Sequence, residues 1–136
     1  MTKVGNMKYL GIDWGIKKIG LATGSDETKL ASPFGILKID KYEESLKELK
    51  TVVDNEKVDV CVLGNPLDLR SNENQSDLYK KFVMDLKNLD LTVELEDERM
   101  TTKLANNLER DFGKTKRDQD DDLAATVILQ TYLDKL

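Results

Sequence analysis

The alternation of apolar and polar positions divides the chain into short strands and amphipathic helices. Lys8 to Asp13 and Lys18 to Thr23 are two short, largely apolar runs on either side of a turn at Gly15, which predicts an antiparallel hairpin. A third strand is expected around Phe34 to Ile39, after a loop closed by Ser32-Pro33. From Tyr42 to Asn55, Leu46, Leu49, Val52 and Val53 recur at helical spacing among charges. Val58 to Leu63 is a nearly continuous apolar run, as a strand covered on both faces requires, and Gly64-Asn65-Pro66 stops it. A polar loop through Asn74 leads to a second helix, about Gln75 to Leu89, with Leu78, Phe82, Met84 or Asp85, and Leu86 to sort between its faces. Leu91 to Leu95 reads as a further strand. Thr101 or Thr102 caps a helix that ends near Gly113, with Leu104, Ala105 and Leu108 as its apolar face. A last helix runs from about Asp118 to Leu133. Strands alternating with helices in the second half imply parallel pairing, while the opening hairpin makes the sheet mixed. The fold class is therefore α/β, in a single domain over residues 1–136.

Three carboxylates fall where this pattern calls for something else. Asp13 closes an apolar strand, and a buried charge is costly unless something pairs with it. Glu98 lies just beyond a strand and just before a helix, at the end of a parallel sheet where ligands gather. Asp121 comes from helical geometry. At about 100° per residue, Ala124, Ala125, Ile128, Leu129 and Tyr132 all fall within about 80° of it, so it sits mid-stripe on the last helix. Asp120 falls on the polar side and Asp122 at the edge, where an acidic first turn simply favours the helix dipole. Inward carboxylates on separate elements repel one another unless they are protonated or bridged by cations. Oxygen donors without histidine or thiolate select Mg²⁺ or Mn²⁺, and such clusters support metal-assisted phosphodiester hydrolysis.

Composition narrows the chemistry further. The chain has no histidine, which removes Ser-His-Asp and Cys-His catalysis and histidine-ligated zinc. Cys61 is the lone cysteine and lies inside an apolar run, as a small core residue. Hydrophobic residues make up 39% and charged residues 35%, the balance of a soluble protein. No apolar run approaches the ~20 residues needed to span a membrane, and Met1 to Asn6 lacks the features of a secretory signal, so a cytoplasmic location is expected. The net charge of -5 does not by itself suggest a nucleic-acid partner. Local charge departs from that total: Lys114, Lys116 and Arg117 fall in a loop leading to the helix of Asp121, and Lys17 and Lys18 lie beside Asp13. These cations are candidate phosphate contacts.

Over nearly its whole length the chain resembles the YqgF (RuvX) family, Holliday junction resolvase-like proteins regarded as nucleases of pre-16S rRNA 5′ ends. The resemblance rests on four motifs in order. They are Leu10-Gly11-Ile12-Asp13-Trp14-Gly15 with Lys17-Lys18-Ile19-Gly20-Leu21-Ala22, then Leu63-Gly64-Asn65-Pro66-Leu67, then Asp97-Glu98-Arg99-Met100-Thr101-Thr102, and last Asp121-Asp122-Leu123-Ala124-Ala125. Ser71 and Asn74 stand where the family usually has glycine. The resemblance implies an RNase H-like fold, a mixed five-stranded sheet flanked by helices. It also implies Asp13, Glu98 and Asp121 as an acidic triad holding Mg²⁺ or Mn²⁺ for a two-metal mechanism. Arg99, Thr101 and Thr102 join Lys17, Lys18, Lys114, Lys116 and Arg117 as candidate contacts to nucleic acid. The implied substrates are structured RNA, in a pre-ribosomal particle, or branched DNA, with the protein a monomer or weak homodimer.

Two rival readings come from other classes. A non-catalytic nucleic-acid-binding domain of the same fold has no reason to point acids at phosphates. A sugar-kinase or actin-type domain shares the Gly-x-Asp-x-Gly hairpin, but needs two such domains to enclose ATP, and 136 residues do not hold both.

Overall fold

The structure, a computed structural model, describes residues 7–15, 17–65, 73–97 and 117–136. Five strands, β1 (Lys8–Trp14), β2 (Lys18–Ser25), β3 (Ala31–Lys38), β4 (Val60–Asn65) and β5 (Val93–Asp97), form one sheet in the order β3-β2-β1-β4-β5. β1, β2 and β3 pair antiparallel in sequence, and β1, β4 and β5 run parallel. The helices described are α1 (Tyr42–Glu56), α2 (Glu73–Asn88) and α3 (Arg117–Asp134). The mixed α/β architecture expected from the sequence is thus the one observed. The helix predicted between Thr101 and Gly113 lies outside the described residues.

Burial on both faces of the central strands follows from their composition. Leu10, Ile12, Ile19, Leu21, Cys61 and Leu63 point to one side, where Leu49 and Val53 of α1 and Tyr79, Phe82 and Leu86 of α2 complete a core. Tyr9, Ala22, Val60 and Val62 point to the other and meet Ala125, Ile128, Leu129 and Leu133 of α3. Ala125, Ile128 and Leu129, placed by helical geometry on the inner stripe, are fully buried. Cys61 packs as the small core residue anticipated, and burial pushes its thiol up to about 12, which leaves it inert as a nucleophile.

Several boundaries and faces depart from the hydrophobic pattern. β3 starts at Ala31, so Ser32 and Pro33 lie within the strand; β3 is an edge, and Pro33 needs no partner on its open side. Ala22 pairs with Pro33 and Leu21 with Gly35, which leaves Phe34 as the extra residue of a bulge, 42% exposed. β4 continues through Gly64 to Asn65 and β5 to Asp97, because their parallel ladder (Cys61↔Val93 to Asn65↔Asp97) outlasts the apolar runs. On α2, Leu78 and Met84 are exposed and Tyr79 turns inward, since Tyr79, Phe82 and Leu86 share one helical row. The Tyr79 hydroxyl donates to the Gly64 carbonyl at 2.9 Å, fixing α2 against the end of β4. Arg117, expected in a loop, is the first residue of α3.

One buried acid pins the C-terminal end of α3. Glu96 is 4% exposed, and Lys135 donates to both of its carboxylate oxygens at 2.5 and 2.8 Å. Removing one partner of such a pair strands a charge. Lys135→Ala is expected to lower stability by about 2 kcal/mol, and Glu96→Gln in the same background to recover most of it, as measured by urea unfolding. Equal stability of Lys135→Ala and the native protein would show the pair to be incidental.

Candidate nucleic-acid interface

The sheet register places Asp13 among glycines. Asp13 pairs with Gly20 of β2. On the other side Ile12 is level with Leu63, so the next residue of β4, Gly64, lies beside Asp13, and Gly64 is in turn level with Glu96 of β5. Side chains alternate along a strand, so Asp13 shares the α3 face with Gly11, and Gly20 shares it with Ala22. Across the carboxyl ends of the parallel strands, this level therefore carries a partly buried carboxylate on β1 and no side chain on either neighbouring strand. Carboxyl ends of parallel strands are where ligands bind in open sheets.

The next acid along that level, Glu96, was not singled out from the sequence. It is neutralised by Lys135, which makes it a structural acid rather than a second free ligand. Glu98 itself, with Arg99, Thr101 and Thr102, lies outside the described residues, as do Lys114 and Lys116. For position 121 the backbone is described. It belongs to α3, one turn before Ala125, whose carbonyl lies 2.8 Å from a Cβ built on Gly11. Among the described residues no three carboxylate, cysteine or histidine groups are assembled as a metal site, and two of the three predicted ligands fall outside the described side chains.

Trp14, next to Asp13, faces the opposite core. Its ring meets Tyr79 edge-on at 5.8 Å between centroids and Phe82 at 6.2 Å. Because Tyr79 also holds the Gly64 carbonyl, Trp14 and Tyr79 together fix the height of the two strand ends that flank the site. The aromatic at 14 and the glycines at 20 and 64 are the features that hydrophobic patterning missed. The available signal was glycine within two strands that otherwise favour bulk.

The turn after Asp13 carries the predicted lysines. Lys17 is exposed, Lys18 begins β2, and the Lys17 carbonyl accepts from the Ile39 N–H at 2.8 Å. Asp13 and Lys18 each interact with neighbouring groups. The geometry therefore brings Asp13, Lys17 and Lys18 to one end of the sheet and leads α3 toward the same face.

Comparison with known proteins agrees with this architecture. Residues 7–135 match the family described as RuvX, Holliday junction resolvase. A Rickettsia conorii protein named as a candidate pre-16S rRNA nuclease is 34% identical over 136 residues, covering 96% of this chain and 88% of that protein. Its Rickettsia felis counterpart, of the same name, is 36% identical over 137 residues, with 96% and 88% covered. Among solved structures, T. thermophilus RuvC in complex with a Holliday junction substrate superposes with a TM-score of 0.61 at 15% identity, covering 95% of this chain and 96% of that one. The fowlpox virus Holliday junction resolvase gives a TM-score of 0.59 at 14% identity, covering 95% and 99%. At these identities the structural likeness establishes a shared RNase H-like fold.

Proposed function

Because the chain belongs to the RuvX, Holliday junction resolvase, family, we propose that it is a divalent-metal-dependent nuclease that trims the 5′ end of pre-16S rRNA. The observation that carries this reading is Asp13, a carboxylate at the end of the central strand with glycine on both sides. Neither neighbouring strand carries a side chain at this level, so the level suits oxygen-ligated cations and an incoming phosphate. The donor set fits the same ions, since Asp13, Glu98 and Asp121 offer only hard oxygen ligands. Bound there, Mg²⁺ or Mn²⁺ would supply an activated water and stabilise the leaving oxygen.

The direction of α3 supports bringing Asp121 to Asp13. Gly24, level with Tyr9, lies under Leu129 and Leu133, and Gly11 lies under Ala125 and Leu129. Moving up β1 thus means moving back along α3, and one further turn leads from Ala125 to position 121 as Gly11 leads to Asp13. In the sequence Glu98 comes directly after Asp97, the last residue of β5. The chain's own part in the reaction is to hold these carboxylates at one level and to exclude other side chains from it. Lys17 and Lys18 neutralise substrate phosphates beside Asp13; Arg99, Thr101, Thr102, Lys114, Lys116 and Arg117 complete that contact set. Among the described residues no helix is long and apolar enough to cross a membrane. We place the protein in the cytoplasm, on a pre-ribosomal particle, as a monomer or weak homodimer.

A second substrate is favoured by the family description itself, namely branched DNA. The test incubates the purified protein with a pre-16S rRNA 5′-end fragment and a four-way DNA junction, each with Mg²⁺, Mn²⁺ or EDTA. Metal-dependent cleavage of the RNA, abolished by EDTA, is the expected result. Cleavage of the junction alone would transfer the function to recombination, and no cleavage of either would leave a binding module.

A further inference from the structure

The antiparallel register sets two lysines against each other on the edge of the sheet. Lys18 of β2 pairs directly with Lys38 of β3. The adjacent pair, Ile19 with Leu37, packs into the core beneath α1 and α2, so Lys18 and Lys38 share the opposite face with Asp13 and α3. Directly opposed residues of an antiparallel pair lie about 5 Å apart at Cβ, and like charges there are destabilising. Lys18 is also the diagonal neighbour of Asp13, which pairs with Gly20, at about 7–8 Å. The bond from the Ile39 N–H to the Lys17 carbonyl continues the pairing by one residue, and Lys41 is exposed further along the chain.

Among the described residues some lysines are matched to acids and others, Lys47, Lys57, Lys80 and Lys87 among them, are exposed without one. Lys8, Lys50, Lys81 and Lys135 each contact a carboxylate, Glu56, Asp54, Asp85 and Glu96 respectively. Lys17, Lys38 and Lys41 are exposed and form no ion pair among the described residues. The acids nearby in sequence are Asp40, between Lys38 and Lys41, and Glu43 and Glu44 in the first turn of α1, all exposed. A like-charge pair kept on a folded edge in a chain of net charge -5 is a local conflict of the kind that functional sites tolerate.

From this geometry we infer that Lys38, opposite Lys18, is a binding residue for the phosphodiester backbone of the substrate. The strand crosses from Asp13 over Gly20 to the β3 edge. Two strand spacings across the sheet and two residues along it, roughly 12 Å in all, separate Asp13 from Lys38, so the lysine pair grips phosphates next to the scissile one rather than the scissile phosphate itself. The contact is to backbone and carries no sequence preference. This rests on the nuclease reading for its substrate, but not for its location.

The experiment measures binding of two fluorescein-labelled probes, a pre-16S rRNA 5′-end fragment and a four-way DNA junction, by anisotropy with Ca²⁺ across a salt series. The variants are Lys38→Gln, Lys38→Glu and, as control on the opposite face, Lys47→Gln, whose side chain is exposed on α1. Lys38→Gln is expected to weaken binding three- to tenfold. It should also reduce the slope of log affinity against log salt by about 0.7–0.9, the loss of one phosphate contact. Lys38→Glu should weaken binding further while its melting temperature rises above the native value, because it replaces a repulsive cross-strand pair by an attractive one. Lys47→Gln should change neither. Affinity and slope unchanged in Lys38→Gln would overturn the inference even if the native protein cleaves RNA, which leaves the nuclease reading standing. Reduced affinity in Lys38→Gln without cleavage by the native protein would keep the phosphate track and defeat the nuclease reading. Failure of the native protein to bind either probe would defeat both.

Discussion

Asp13→Asn is expected to abolish metal-dependent cleavage, by at least about 100-fold, the scale on which a single preorganised group at a reacting centre counts. The substitution keeps the shape of the side chain and removes its charge. Asn lacks the anionic oxygens that hold a hard cation, so the loss should appear with Mg²⁺ and Mn²⁺ alike. The fold should persist, because the β1–β2 pairing from Lys8↔Ser25 to Trp14↔Ile19 uses the backbone and not this carboxylate. Two further measurements separate metal binding from general damage. A cation held by the folded state raises stability by mass action, about 2.7 kcal/mol at a hundredfold excess over the dissociation constant. Mn²⁺ should therefore raise the melting temperature of the native protein and do much less for Asp13→Asn. Trp14, the chain's one tryptophan and the neighbour of Asp13, should report the same difference as a change in fluorescence on Mn²⁺ addition. Asp120→Asn, which helical periodicity in the sequence assigns to the polar side, is the control. Loss of activity in that variant equal to Asp121→Asn would refute the helical-face argument, and full activity in Asp13→Asn would remove the acid from the site.

The parts of this fold that could be read from the sequence are those decided by one side chain's burial. Alternating and continuous apolar runs located all five strands, and the Ala125, Ile128 and Leu129 stripe located the buried face of α3. What escaped was decided between strands. The pattern ends β4 at Leu63, whereas ladder bonds to β5 carry it through Gly64 to Asn65. Ser32-Pro33 looked like loop because proline is excluded from central strands, and only the strand order makes β3 an edge. The candidate site shows the same division. Asp13 was visible as a charge in an apolar run. Its glycine neighbours, the structural role of Glu96 and the opposition of Lys18 to Lys38 depend on register, which one chain's periodicity does not reveal.

Gly11→Ala is expected to destabilise the protein by about 2–3 kcal/mol, at the upper end for overpacking in a core. A Cβ at Gly11 would lie 2.7 Å from the Leu129 Cβ and 2.8 Å from the Ala125 carbonyl oxygen. Neither atom is the far end of a flexible chain, so the only relief is to lift α3 away from β1. Removing a glycine from a strand interior returns roughly 0.5–1 kcal/mol, too little to offset that displacement. On the proposed function the consequence reaches catalysis as well, because α3 carries Asp121 and β1 carries Asp13. Lifting the helix widens the gap between them, and displacements of about 1 Å can cost on the order of 100-fold in rate. Cleavage should therefore fall even at temperatures where Gly11→Ala remains folded by circular dichroism. Leu129→Ala added to Gly11→Ala leaves the contact at the Leu129 Cβ and the Ala125 carbonyl in place, so it should not restore activity. A Gly11→Ala protein with native urea midpoint and native cleavage rate would show that α3 and β1 are not in this close contact.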